Sequence, residues 1–227
     1  MKTFLILLLS SLSLVAQTGL RSPAFVGQLR PSAGIITLYT EGFEGTGYEV
    51  ATTETAAGVD EDNATSPPQG SQNLSVARVA SGIYAYPTAG WGPQAVITME
   101  GWFRVDTVGA ANQIIQIDAS ANSTARGFIF VTAAAAVQIY GTGGGSVSAT
   151  TTDTVTINTW YKFQAKWNKT TAAYSIEFNT GGTFNGSGTD YASNTNGDTG
   201  VTVGGMSYYS SVNNYTTLFD GMSVLSP

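Results

Sequence analysis

The sequence predicts an all-β chain folded as a two-sheet antiparallel sandwich, on three observations. Between Asn158 and Asn168, Tyr161, Phe163, Ala165 and Trp167 alternate with Lys162, Gln164 and Lys166, the period of a half-buried strand. Similar runs recur from about Ile35 onward, divided by Gly, Asn, Thr and Ser. Composition agrees, because 11% charged residues and 27 glycines in 227 suit short strands and tight turns better than helices.

Before the domain, Met1-Lys2-Thr3 and the apolar run from Phe4 to Val15 have the basic start and length of a signal peptide, so residues 1–16 are expected to be removed on export. The alternative is a retained hydrophobic arm packed on a partner subunit. The run is short for a bilayer, and no integral membrane span is expected. Residues 17–33, with Arg21, Pro23, Arg30 and Pro31, read as a leader or docking arm, and residues 34–227 as one domain.

Within the domain, Ile35 to Tyr39 opens the strands. A loop-rich stretch to Gly70 follows, holding seven of the 15 acidic residues and no basic one between Glu41 and Asp62. Ser71 to Val79 and Ile83 to Tyr86 are the next strand segments. Val96 to Val105 puts Met99, Gly101, Phe103 and Val105 on one face and Glu100, Trp102 and Arg104 on the other. Ile114 to Ile117 and Phe128 to Val131 are apolar at successive positions, which predicts strands covered on both faces. Val137 to Tyr140 runs into Gly141-Thr142-Gly143-Gly144-Gly145, a hairpin connection rather than a phosphate cradle, since no Gly-Lys-Ser/Thr follows. Ala173 to Phe178, Val201 to Val203 and Leu218 to Leu225 complete the set.

Several chemistries are excluded. Without Cys or His the chain has no thiolate nucleophile, no Ser-His-Asp triad and no site for a Cys- or His-bound zinc. A net charge of -6 with only 9 Lys and Arg argues against nucleic acid as a partner.

Taken in order, Met99-Glu100-Gly101-Trp102-Phe103-Arg104-Val105, Asn158-Thr159-Trp160-Tyr161-Lys162-Phe163, Val203-Gly204-Gly205 and Phe219-Asp220-Gly221-Met222-Ser223-Val224 resemble landmarks of the laminin-G-like and concanavalin-A-like lectin/glucanase jelly-roll superfamily. Glu41 to Gly45 and Gly70 to Leu74 look like the opening of such domains, and the resemblance covers about Gly34 to Ser226. It implies an antiparallel jelly roll with one concave sheet, in a group that includes lectins, glycan- and protein-binding modules and glycanases. The glycanases of the group carry a Glu-x-Asp-x-Glu strand, which sets a nucleophile and an acid on one face. No such strand occurs here, and Asp60-Glu61-Asp62 is contiguous. The pattern of the polysaccharide lyases on this fold fails for want of His.

Three candidate sites follow. Trp91, between Gly90 and Gly92 with Tyr84 and Tyr86 before it, is either a loop platform for a ligand or a plug at the sandwich edge; Tyr208, Tyr209 and Tyr215 form a second group of the same kind. Trp102 beside Glu100 and Arg104 either stacks on a sugar or packs under a loop with its N–H satisfied and Glu100 paired to Arg104. The resemblance further implies a structural calcium where the domain's ends meet, with Glu44 and Asp220 as ligands; the alternative is that both are solvated or hydrogen-bonded carboxylates with no cofactor.

The function expected is that of an exported, secreted or cell-surface, non-catalytic module recognising a glycan or another extracellular surface. The alternative is a structural assembly protein, homo-oligomeric or larger, such as a surface-layer, virion decoration or fibre subunit. A glycan-active enzyme ranks third.

Overall fold

The computed structural model describes residues 35–44, 50–53, 58–78, 84–87, 90–120, 123–141, 147–195, 199 and 202–227. The expected signal peptide and leader arm lie outside them. Among the described residues every regular element is a strand: β1 (Ile36–Glu41), β2 (Val50–Thr53), β3 (Val59–Asn63), β4 (Asn73–Ala77), β5 (Tyr84–Pro87), β6 (Val96–Val105), β7 (Asn112–Asp118), β8 (Ala125–Val131), β9 (Ala136–Gly141), β10 (Val147–Thr154), β11 (Tyr161–Asn168), β12 (Ala173–Asn179), β13 (Tyr191–Asn194), β14 (Gly205–Tyr209) and β15 (Thr216–Ser226).

They form two antiparallel sheets. Sheet A has eight strands in the order β13-β12-β11-β6-β15-β4-β3, with β1 also paired to β15. Sheet B has seven, in the order β10-β9-β8-β7-β14-β5-β2. Alternation along each strand decides what lies between the sheets. Sheet A sends in Met99, Phe103, Phe163, Ala165, Trp167, Ile176, Phe219 and Val224; sheet B sends in Ile115, Ile117, Ile129, Ile139, Met206 and Tyr208. Burying large side chains such as these contributes about 1.5–3 kcal/mol apiece, and they are the main reason the sheets stay together.

Bulges adjust the alternation. On β15 the pairing with β6 shifts between Asp220 and Ser223, where Gly221 adopts φ +52°. The extra residue keeps Asp220 and Ser223 opposite the outward Trp102 and Glu100, while Met222 lies against Gly101. A shift between Gln113 and Ile115 on β7 lets Ile114 and Ile115 both be buried.

Several expectations are corrected. Ile129 and Val131 face the core, but Phe128 and Phe130 are half-buried on the outer face of sheet B rather than enclosed. Asp60-Glu61-Asp62 belongs to edge strand β3, and the Thr-rich β10 and the short β13 are strands without an apolar alternation. Val203 makes only an isolated bridge to Gln94, and the strand expected there begins two residues later as β14. Trp160 precedes β11 and is half-buried.

Candidate functional site

The outer face of sheet B collects aromatic and amide side chains. Its register runs Ser148, Tyr140, Phe128, Gln116 and Ser207 across five strands, and beside it Thr150, Gln138, Phe130 and Gln113. On β14 and β5, Tyr209 faces Tyr84, and their rings stack at 4.8 Å with 16° between planes. Tyr86 lies 6.0 Å from Tyr84. Phe130 meets Phe128 at 6.0 Å and Tyr140 at 5.2 Å, both edge-on. All six rings are half-buried, so each keeps surface to offer a ligand.

Between the two ring groups lies a polar network. Gln116 Nε2 donates to Asp118 Oδ1 at 2.6 Å, Ser207 Oγ donates to Asp118 Oδ2 at 2.8 Å, and Gln113 Nε2 donates to Gln116 Oε1 at 3.3 Å. Burial raises the Asp118 carboxyl above its ordinary pKa, against the pull of those two donors. Fixed amides beside flat apolar rings can orient hydroxyl groups while the rings take the apolar side of a sugar.

The outer face of sheet A holds Glu100, Trp102 and Arg104, on the opposite side of the molecule from Tyr84 and Tyr86. The expected Glu100–Arg104 pair does not form. Glu100 accepts from Gln164 Nε2 at 2.5 Å and faces Lys162 Nζ at 4.0 Å, its cross-strand neighbours on β11. Arg104 donates to Asn158 Oδ1 at 2.9 Å. The Trp102 indole N–H, expected to be satisfied, is buried without an acceptor among the described residues.

Loops cover much of this face. Trp160 Nε1 donates to the Ser66 carbonyl at 2.7 Å, and the Gln69 N–H donates to Asp220 Oδ2 at 2.9 Å, fastening residues 64–72 over β15. At the other side the buried Glu177 carboxylate accepts from the N–H groups of Asn185 (2.8 Å) and Gly186 (2.7 Å).

Trp91 lies in the segment between β5 and β6. It is half-buried against the core, its ring is 6.4 Å from Tyr39, and its indole N–H is enclosed without a partner among the described residues. Of the second tyrosine group, Tyr208 points inward and bonds Tyr39 Oη at 3.1 Å, Tyr209 points outward, and Tyr215 lies in the loop after β14.

Glu44 and Asp220 are held by the same loop, since the Gln69 N–H donates to Asp220 Oδ2 and the N–H groups of Ser71 and Gln72 donate to Glu44. Glu44 accepts from the N–H of Ser71 (2.6 Å) and of Gln72 (3.0 Å) and from Ser71 Oγ (3.0 Å). Burial works to raise its pKa, but these donors hold it below the ordinary value. Gly70 sits at φ +60°, and a Cβ there would overlap the Glu44 carboxylate, so this turn of the cradle favours glycine. Asp220 is fully buried and its Oδ1 has no partner among the described residues. Burial pushes its pKa up to about 7, opposed by the N–H groups of Gln69 and Gly221.

Comparison with solved structures decides the fold. An endo-β-1,4-glucuronan lyase from the fungus Trichoderma reesei superposes with a TM-score of 0.61 at 11% identity, covering 83% of this chain and 95% of that one. Arcelin-5, a lectin-like defence protein of Phaseolus vulgaris, gives 0.51 at 8% identity over 86% and 99%. The fold is a concanavalin-A-like jelly roll. The binding domain of botulinum neurotoxin DC, in complex with SialylT, gives 0.51 at 9% identity over 78% of this chain, which spans 42% of that one. No family model matches the sequence, and no curated protein matches it. Identities this low speak to fold and not to activity.

Of the residues on this face, sequence reasoning named Tyr84, Tyr86 and Tyr209 as candidates and did not name Phe128, Phe130, Tyr140, Gln116, Asp118 or Ser207. The available signal was the β8 sequence itself, since with Ile129 and Val131 inward, Phe128 and Phe130 must point outward.

Proposed function

We propose that this chain is an exported, non-catalytic module that holds glycan against the outer face of sheet B. The observation that carries this reading is the pair of half-buried ring groups, Tyr84-Tyr86-Tyr209 and Phe128-Phe130-Tyr140, on either side of the Gln116–Asp118–Ser207 network. Rings set on adjacent strands are rigid, so stacking a sugar there costs little conformational entropy. The glycan- and lectin-related neighbours in fold are consistent with this use of the scaffold.

The absence of a catalytic role is supported by the carboxylates. Glycoside hydrolysis of the usual kind needs two carboxyl groups flanking the scissile bond. On the outer face of sheet B, among residues with described side chains, Asp118 is the acid present, and both its oxygens are engaged.

A structural calcium is proposed at Asp220 and Glu44. The fit rests on the buried, unpartnered Oδ1 of Asp220, a carboxyl oxygen that a hard cation would satisfy. Two carboxylates supply part of the roughly six to eight oxygens calcium takes, and carbonyls and waters would supply the rest.

Glycan-array binding followed by calorimetry tests the main reading. Wild type is expected to bind, and Tyr209→Ala to weaken binding while the melting temperature holds. Release of reducing sugars or unsaturated products by the wild type, lost on changing one carboxylate, would overturn the non-catalytic reading.

A further inference from the structure

The outer face of sheet A carries a groove at the ends of β6, β11, β12 and β13. There the register sets Thr98, Lys166, Ser175 and Ser193 side by side, because Lys166 faces Thr98 on β6 and Ser175 on β12, and Ser175 faces Ser193 on β13. These residues line an open groove of about 330 Å³, with Tyr191 beside them. That volume is at the lower end of the roughly 300–1,000 Å³ typical of small-ligand sites.

Among the described residues Lys166 is the only charged one lining the groove, and it forms no ion pair there. Two carboxylates lie one row away: Glu100 accepts from Gln164 Nε2 and faces Lys162, and Glu177, facing Tyr191, is buried with its oxygens on the Asn185 and Gly186 amides, so neither is paired with the Lys166 ammonium. A lone exposed cation among hydroxyls is selective in a protein of net charge -6, which repels anions elsewhere.

We infer that this groove is a second ligand site, separate from the face of sheet B, that takes one carboxylate-bearing sugar residue. The Lys166 ammonium pairs with the carboxylate, the hydroxyls of Thr98, Ser175 and Ser193 exchange hydrogen bonds with the sugar's hydroxyls, and Tyr191 lies against its apolar side. The inference does not rest on the reading of sheet B.

Amide chemical-shift titration of the protein with D-glucuronic acid, D-glucose and inorganic phosphate tests it. Glucuronic acid is expected to shift the amides of residues 98, 166, 175, 191 and 193, with glucose much weaker. Lys166→Gln, an exposed change that leaves the fold intact, is expected to weaken glucuronic acid about tenfold, and Lys166→Arg to retain most of it. Tyr209→Ala is expected to leave these shifts unchanged, so failure here is distinct from failure at sheet B. Equal binding of glucose, unchanged binding by Lys166→Gln, or shifts confined to sheet B would overturn the site. So would phosphate that binds as well as glucuronic acid, which would mean an adventitious ion only.

Discussion

The outer faces of sheets A and B invert the usual expectation of where recognition sits. Sheet A carries charge: Glu100, Arg104, Lys162 and Glu177 project from it and are each committed to a cross-strand neighbour, a turn side chain or a loop amide, with Lys166 the exception among the described residues. Among the described residues the outer face of sheet B has fewer charges, Asp118 and, by alternation with Phe128 and Phe130, Arg126, and its rings keep open surface. Ionised groups are costly to bury unpaired and so recruit partners within the fold, whereas half-exposed aromatic rings impose no such demand and remain available.

The contrast can be tested in order of expected effect. Phe163→Ala, between the sheets, is expected to cost about 3–5 kcal/mol in denaturant unfolding, against a change within about 1 kcal/mol for Tyr209→Ala on the open face. Equal losses would mean that Tyr209 belongs to the core. Trp91→Ala sharpens the same division at the sandwich edge: a loss of about 2 kcal/mol or more with glycan affinity intact is expected of a plug, and the opposite pattern would restore Trp91 to the ligand surface.

On sheet B, Tyr84→Ala and Tyr209→Ala are each expected to weaken glycan binding by about 1–3 kcal/mol in calorimetry, and the pair by less than the sum because the rings stack on one another.

Asp220 gives a pH test of sheet A. Its folded pKa is raised from 3.8 to about 7, so the folded state holds the proton more tightly than the unfolded chain. In chelator, stability is therefore expected to fall as pH rises across that window, and added calcium to restore it at neutral pH. Asp220→Asn should remove both responses; melts that ignore pH and calcium alike in the wild type would dismiss the metal. The smallest effect belongs to Lys162→Ala, expected below about 1 kcal/mol because its contact with Glu100 is a long, partly solvated pair.

How much of this was legible in the sequence depended on whether the side chains alternate in polarity. β6 and β11 do, so their inward residues and the outward Glu100, Trp102 and Arg104 followed directly. β3, β10 and β13 do not, and their existence depends on backbone ladders to β4, β9 and β12 that no local pattern announces. Tyr208 and Tyr209 are chemically alike, and only the register with β7 and β5 sends one inward and the other out. The partners of Glu100 and Arg104 were illegible for a related reason: along one strand they are neighbours, but the nearer groups come from β11 and the turn before it. Glu44 and Asp220 were reached through resemblance, whereas the buried, unpartnered oxygen that motivates a cation is a property of the folded chain.

The pairing of β1 with β15 also has a mechanical consequence. Ile36 faces Ser226 and the ladder runs on to Glu41 opposite Met222, so residues 36 and 226 lie at the same end of it. Tension applied between them opens the ladder as a zipper, loading successive rungs rather than shearing them together. Stretched through those two points in a single-molecule experiment, the domain is expected to release β1 at low force, before the remainder of sheet A gives way.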